Sequence, residues 1–219
     1  MDARKYISEM TGTFALVFCG TGSIVINQES GGAIGHLGIA ITFGLIVAAM
    51  IYALGDISGA HLNPAVTLAF FVAKKFPAKH LVPYIINQFL GAFAASATLK
   101  LLFPHNELLG ATMPAGTPMQ SFVLELILSF ILMLVIIHVA SGSKEQGMFA
   151  GIAIGAVVLL EALFAGPVCG ASMNPARSLA PAMISGHTGH LWIYLLAPTL
   201  GAQVAIGFWY LMKPKPDKA

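Results

Sequence analysis

Six long apolar stretches dominate the chain: roughly Tyr6 to Asn27, His36 to Leu54, His80 to Leu102, Gln120 to Ser141, Gly147 to Gly166 and His190 to Met212. Each is about 20 residues, the length an α-helix needs to cross a hydrocarbon core of about 30 Å. The pattern breaks between the second and third stretches and again between the fifth and sixth. There it predicts two short helices, Pro64 to about Lys74 and Pro175 to about Ser185. Each has room for about 11 residues, or roughly 16 Å of helix, and so crosses only half of the core.

The short helices open on a stretch that occurs twice, Gly59-Ala60-His61-Leu62-Asn63-Pro64-Ala65 and Gly170-Ala171-Ser172-Met173-Asn174-Pro175-Ala176. The shift is 170 − 59 = 111 residues, about half the chain. A second match, His80-Leu81-Val82-Pro83-Tyr84 against His190-Leu191-Trp192-Ile193-Tyr194, runs at 190 − 80 = 110. The duplication is therefore chain-wide: one transmembrane domain over 1–219, with repeat one at about 1–109 and repeat two at about 110–219. Each repeat holds three spans and a half-helix. Three is odd, so the repeats enter the membrane in opposite orientations and the half-helices come in from opposite sides.

Composition agrees. With 57% hydrophobic residues, 9% charged and a mean hydropathy of +0.83, the chain reads as an all-α integral membrane protein, and nucleic acid is excluded as a partner. Arg4, Lys5, Lys74, Lys75, Lys79, Lys144, Lys213, Lys215 and Lys218 all fall on one side of the six-span arrangement. That side is the inner one, with both termini cytoplasmic in a plasma or inner membrane. Lys100 and Arg177 stand apart from this group. Arg4 and Lys5 before an apolar run imitate a signal peptide, but no small-x-small cleavage site follows, so the run reads as the first retained span. Cys19 and Cys169 make no disulfide framework and leave the redox compartment open.

Asn directly before Pro is a strong helix start: Asn caps, and Pro lacks the N–H that would be unpaired at the first helical position. Irregular backbone at membrane depth is tolerated only where protein covers it or where it lines a watery cavity. Two opposed helix N-termini meeting there point to a pore or a substrate site, and their partial positive charges oppose cations. If each asparagine oxygen accepts a backbone N–H, the amide NH₂ of Asn63 and of Asn174 is left as a donor for a permeant oxygen. Single-file water held by both donors relays protons poorly. The alternative is that each Asn-Pro is only a good cap in a tight loop.

These residues, a duplicated Asn-Pro-Ala with Arg177 directly after the second, make the chain resemble the aquaporin, or major intrinsic protein, family over its whole length. The resemblance implies six tilted helices and two re-entrant half-helices around one pore per subunit, normally in a homotetramer, passing water and small neutral solutes with no cofactor and no metal. It places Arg177 at a narrow outer constriction, where it donates to the solute and repels cations; a purely structural clamp on the loop is the alternative. Counting from the asparagines carries over three more positions: Phe43, 20 before Asn63; Ala162, 12 before Asn174; and Ala171, three before Asn174. Where strict water channels of the family carry His, this chain has Ala162, so a wider and less polar filter is expected.

Ser178, Ala182, Tyr194 and Leu195, with Gly-Ala-Thr-Met-Pro-Ala-Gly before Gln120-Ser121-Phe122, resemble the plant nodulin-type branch and its bacterial relatives. Phe43 departs from the Trp or small residue common in that branch. His61 resembles a family residue lining the inner half of the pore, though a loop histidine is also a common structural group. Glu9 and Glu125, early in spans one and four, need partners if buried; the family reading makes them supports of the half-helix loops, the other reading interfacial glutamates. Glu161 lies about 100° round the helix from Ala162 and faces away from any pore that Ala162 lines.

The expected activity is therefore passive conduction of water and small uncharged solutes, glycerol and boric or arsenous acid among them, with protons and ions excluded. A strict water channel is the nearer alternative. A secondary transporter is the remoter one, since inverted repeats with broken helices are also built that way. No nucleophile stands beside a base, so an enzyme has no residues to support it.

Overall fold

The computed structural model describes residues 3–213. Lys215 and Lys218, two members of the inner group of charges, lie outside the described residues. Nine helices and no strand occur among the described residues: α1 (Ala3–Glu29), α2 (Gly35–Ser58), α3 (Pro64–Val72), α4 (Ala78–Leu102), α5 (Pro118–Ser141), α6 (Lys144–Met148), α7 (Ala150–Cys169), α8 (Pro175–Ser185) and α9 (Leu191–Met212). Six of them, α1, α2, α4, α5, α7 and α9, are long and apolar enough to cross a membrane.

Local sequence explains the element ends. Asn63 and Asn174 are extended N-caps whose side-chain oxygens accept from the Ala65 and Ala176 N–H groups, with Pro64 and Pro175 opening the helices. Thr117 caps α5 ahead of Pro118 in the same way. α2 and α7 stop at Gly59 and Gly170, with φ of 86° and 85°, a left-handed cap that favours glycine. α3 ends at Val72, two residues short of the expected Lys74, because Ala73 caps it and Lys74 itself turns left-handed at φ 57°. The sixth helix of the series, α6, was not expected: a capping box between Ser143 and Gln146 opens it, so the fifth span begins at Ala150 rather than Gly147.

Packing repeats across the two halves. α1 packs on α2 and α4, and α5 packs on α7 and α9, while α2 and α7 join the halves. Each half-helix lies against the last span of both repeats: α3 against α9 and α4, α8 against α4 and α9. Close approach needs glycine. A Cβ on Gly91 would run into the Met10 carbonyl, and one on Gly201 into the Leu126 carbonyl; Gly44 and Gly155 abut one another's carbonyls across α2 and α7.

The outer surface is apolar, with Leu45, Val82, Leu160 and Phe164 all exposed. That is the arrangement lipid or a partner subunit requires. Glu9, Glu125, Glu161 and Arg177 are the charged residues buried among the described ones. Three of those four lie around the two re-entrant loops.

Candidate functional site

The two loops that lead into α3 and α8 have the same backbone. Ala60 and Ala171 have φ of 45° and 41°, Leu62 and Met173 have 51° and 53°, and Asn63 and Asn174 have −156° and −150°. Each left-handed non-glycine residue costs about 1–2 kcal/mol, so something must hold the loops in this shape. Two buried carboxylates are positioned to do so. Glu9 accepts the His61 and Leu62 N–H groups at 3.0 and 2.7 Å, and Glu125 accepts those of Ser172 and Met173 at 2.7 and 2.9 Å. Both carboxylates are fully buried.

The loops meet through their asparagines. The Asn63 Nδ2 donates to the Met173 carbonyl at 2.7 Å, and the Asn174 Nδ2 donates to the Leu62 carbonyl at 2.9 Å. One of the two protons on each amide is therefore engaged across the interface, and the second remains for a ligand. From sequence alone the whole NH₂ group of each asparagine is free for the solute; the fold commits one of its protons to the other loop. Reciprocal capping and cross-bonding fix each amide in place, since its oxygen already accepts from its own helix.

A cavity of about 740 Å³ runs past this junction. Asn63, Asn174, Phe43, Ala162, Ala171 and Arg177 all line it, and so does His61. Both loops contribute further residues, Gly59 to Leu62 and Ser172 to Met173. It continues to Ser143, Lys144 and Met148 beside α6. Pro64, Ala65, Pro175 and Ala176 are buried and do not line it; they shape the helix starts. Glu9 and Glu125 also lie behind the wall, as do Glu161 and Cys169.

Arg177 is only 2% exposed. Its Nη1 donates to the Gly110 carbonyl at 2.7 Å, and its guanidinium carbon sits 5.1 Å from the centroid of the Phe43 ring. An arginine over an aromatic face is held with its charge intact. Gly110 belongs to the 103–117 loop, which folds down onto the mouth. Ala115 N–H bonds the Val168 carbonyl at 3.0 Å, and Thr112 donates to Ser178 at 2.8 Å.

His61 stacks on Phe70 at 4.7 Å between ring centroids, with Phe76 and Tyr84 beside it, and its Nδ1 lies 3.2 Å from the Thr67 hydroxyl. Gln88 completes this side by donating to both Glu9 and Thr67 at 2.8 Å. Gln88, Thr67, Gly110 and Thr112 were missed by sequence reasoning. A glutamine in an otherwise apolar span was a usable signal for Gln88, and the 111-residue shift that pairs Thr67 with Ser178 was one for Thr67. The Gly110 carbonyl had none, because any residue supplies a carbonyl.

Comparison with known proteins places this geometry. The chain is 49% identical to aquaporin NIP1-1 of Oryza sativa subsp. japonica over 207 residues, which are 94% of this chain and 72% of the relative. It is 48% identical to nodulin-26 of Glycine max over 200 residues, 91% of this chain and 74% of that one. Among solved structures, the aquaglyceroporin from Plasmodium falciparum superposes with a TM-score of 0.86 at 27% identity, covering 95% of this chain and 96% of its own. The family model described as major intrinsic protein matches residues 1–210, and with inverted half-helices meeting at a lined cavity the chain belongs to that family, as a membrane channel for water and small solutes such as glycerol.

Proposed function

We propose that Phe43, Ala162, Ala171 and Arg177 form the selectivity filter and that Asn63 and Asn174 hold the permeant molecule below it. One observation carries this reading: a single cavity is lined by all six residues, which come from three helices and two loops distant in sequence. Pore width and the placement of donors together decide what passes. Two alanines opposite Phe43 and Arg177 leave an apolar wall for the carbon face of a small polyol, while Arg177 and the asparagine amides supply donors for its oxygens.

On this reading water, glycerol and small neutral acids such as boric or arsenous acid permeate, and protons and ions do not. The arginine and the two helix N-termini set a positive barrier to cations. His61 lines the inner half, and Glu9 and Glu125 support the loops. We further infer a homotetramer in a plasma or inner membrane, both termini cytoplasmic, acting without cofactor and without turnover of its solute.

The test is stopped-flow light scattering on proteoliposomes with water, glycerol, urea and boric acid. Water and glycerol should equilibrate faster than in protein-free vesicles, without saturation and regardless of proton or sodium gradients. Water flux with glycerol, urea and boric acid all rejected would mean a strict water channel. Accumulation driven by a gradient would mean a transporter.

A further inference from the structure

Away from the pore, the ends of α5 and α9 and the turn after α3 enclose a second cavity of about 350 Å³. Lys75, Lys213 and His138 line it, with Ser141, Gln146 and Trp209. No acidic side chain lines it among the described residues, and Glu145 on the adjacent α6 is not part of its wall. A hollow bounded by two ammonium groups, an imidazole and an indole has the chemistry of an anion site. We propose that it binds the phosphate-bearing headgroup of an anionic phospholipid.

Three features support that ligand. First, Trp209 orients the cations. Lys213 Nζ lies 3.6 Å from the Trp209 ring centroid and 4.7 Å from that of Tyr210, and Lys75 Nζ lies 5.8 Å from Trp209. The Trp209 side chain is buried at 6% exposure, so this platform is fixed while both lysines stay exposed. An aromatic face holds an ammonium without neutralising it and leaves its protons for an anion. Second, polar groups with capacity for a ligand lie in the wall. The Nδ1 of His138 is engaged with the Leu134 carbonyl at 2.7 Å, which leaves Nε2, and the Ser141 hydroxyl is without a partner.

Third, position selects a lipid over a soluble phosphate. The cavity sits at the lysine-rich end of two membrane-spanning helices, where Trp and Lys are the usual interfacial anchors. Met212 lines it and is exposed, and exposed Phe208 one helical turn before it on α9 offers a path for acyl chains. The inner leaflet carries the anionic lipids of a cell membrane. Its volume suits a glycerophosphate headgroup, and Gly142 is the one residue its lining shares with the pore cavity.

Trp209 reports its own site. The chain has two tryptophans, and Trp192 stands at the opposite end of α9, stacked on Phe122. In a Trp192→Phe protein in neutral detergent, short-chain phosphatidylglycerol should change Trp209 emission saturably, while phosphatidylcholine should not. Lys75→Gln with Lys213→Gln should weaken the response about twenty-five-fold, at roughly fivefold per basic residue near an anionic surface. Lys75→Arg with Lys213→Arg should keep it. The same titrations on protein retaining both tryptophans, read as the difference between the parent and the glutamine variant, give the result independently of the Trp192 substitution. Equal responses to the two lipids, or an unchanged response in the glutamine variant, would overturn the site. Saturation by inorganic phosphate as tight as by phosphatidylglycerol would overturn the lipid as its ligand.

Discussion

At equivalent torsions, the loop before α3 and the loop before α8 are held by different surroundings. Glu9 accepts four hydrogen bonds, from Ser58, His61, Leu62 and Gln88. Glu125 accepts two, from the backbone N–H groups of Ser172 and Met173, while the nearby Cys169 thiol donates to the Ala165 carbonyl. His61 is walled by aromatic rings, whereas its counterpart Ser172 is tied to Ser178, which bonds Thr112 of the outer loop. The first loop thus gains a closed polar and aromatic packing. The second is open towards the 103–117 loop and carries Arg177. The two halves share the backbone that aims two helix ends at each other and differ in side chains, which on the proposed reading gives support to one half and selectivity to the other.

The largest effect should come from removing that support. Glu9→Ala leaves two loop N–H groups, one of the two bonds of the Gln88 amide and the Ser58 hydroxyl without an acceptor, at about 1–3 kcal/mol for each buried group. The left-handed residues it restrains then add their strain. That sum rivals the whole net stability of an ordinary domain, so the variant should fail to give a monodisperse peak in detergent. Glu125→Ala strands about half as many donors and should leave a folded fraction with a lowered melting temperature. Equal damage from both would show that the extra bonds of Glu9 carry no weight.

Next in size are changes confined to the second loop. Arg177→Val removes the guanidinium from Phe43 and from the Gly110 carbonyl, and should raise glycerol flux several-fold and admit cation current while the protein still folds. Misfolding would favour the clamp reading. Ala162→His should narrow the opening and cut glycerol flux at least tenfold, with water flux changed much less. Asn63→Asp and Asn174→Asp place a carboxylate where a donor faces the positive helix ends, so each should weaken cation exclusion in current measurements. A non-conducting mutant in both cases would count against the asparagines as pore groups.

The spans and half-helices were legible because length, hydropathy and Asn-Pro each have one physical reading in a membrane. Phe43, Ala162 and Ala171 were reached only by counting from the asparagines, and an alanine has no chemistry of its own to announce it. What stayed hidden depends on where chains cross. Gly110 acts through its carbonyl, Gln88 acts by reaching two residues at once, and α6 is too short for any hydropathy window. The engagement of one proton of each asparagine was hidden for the same reason, because its acceptor lies 110 or more residues away in the other loop.

The smallest effect separates the loops most finely. Thr67 and Ser178 are the same position in the two repeats, and each hydroxyl bonds within its loop and beyond it. Thr67 donates to the Asn63 carbonyl at 3.0 Å and accepts from Gln88; Ser178 meets Ser172 and accepts from Thr112. Removing either hydroxyl should cost about 1 kcal/mol, or a melting temperature lower by about 2–4 °C for a chain of this size. Their effects on transport should differ. Thr112 is two residues from Gly110, whose carbonyl holds Arg177, so Ser178→Ala frees the segment that positions the guanidinium and should shift the ratio of glycerol to water flux by a factor of about two. Thr67→Val loosens only Gln88 and His61, on the far side of the asparagines, and should leave that ratio unchanged at the same loss of stability. If both variants move the ratio alike, the outer loop does not tune the filter through Arg177, and selectivity is set by the shared backbone instead.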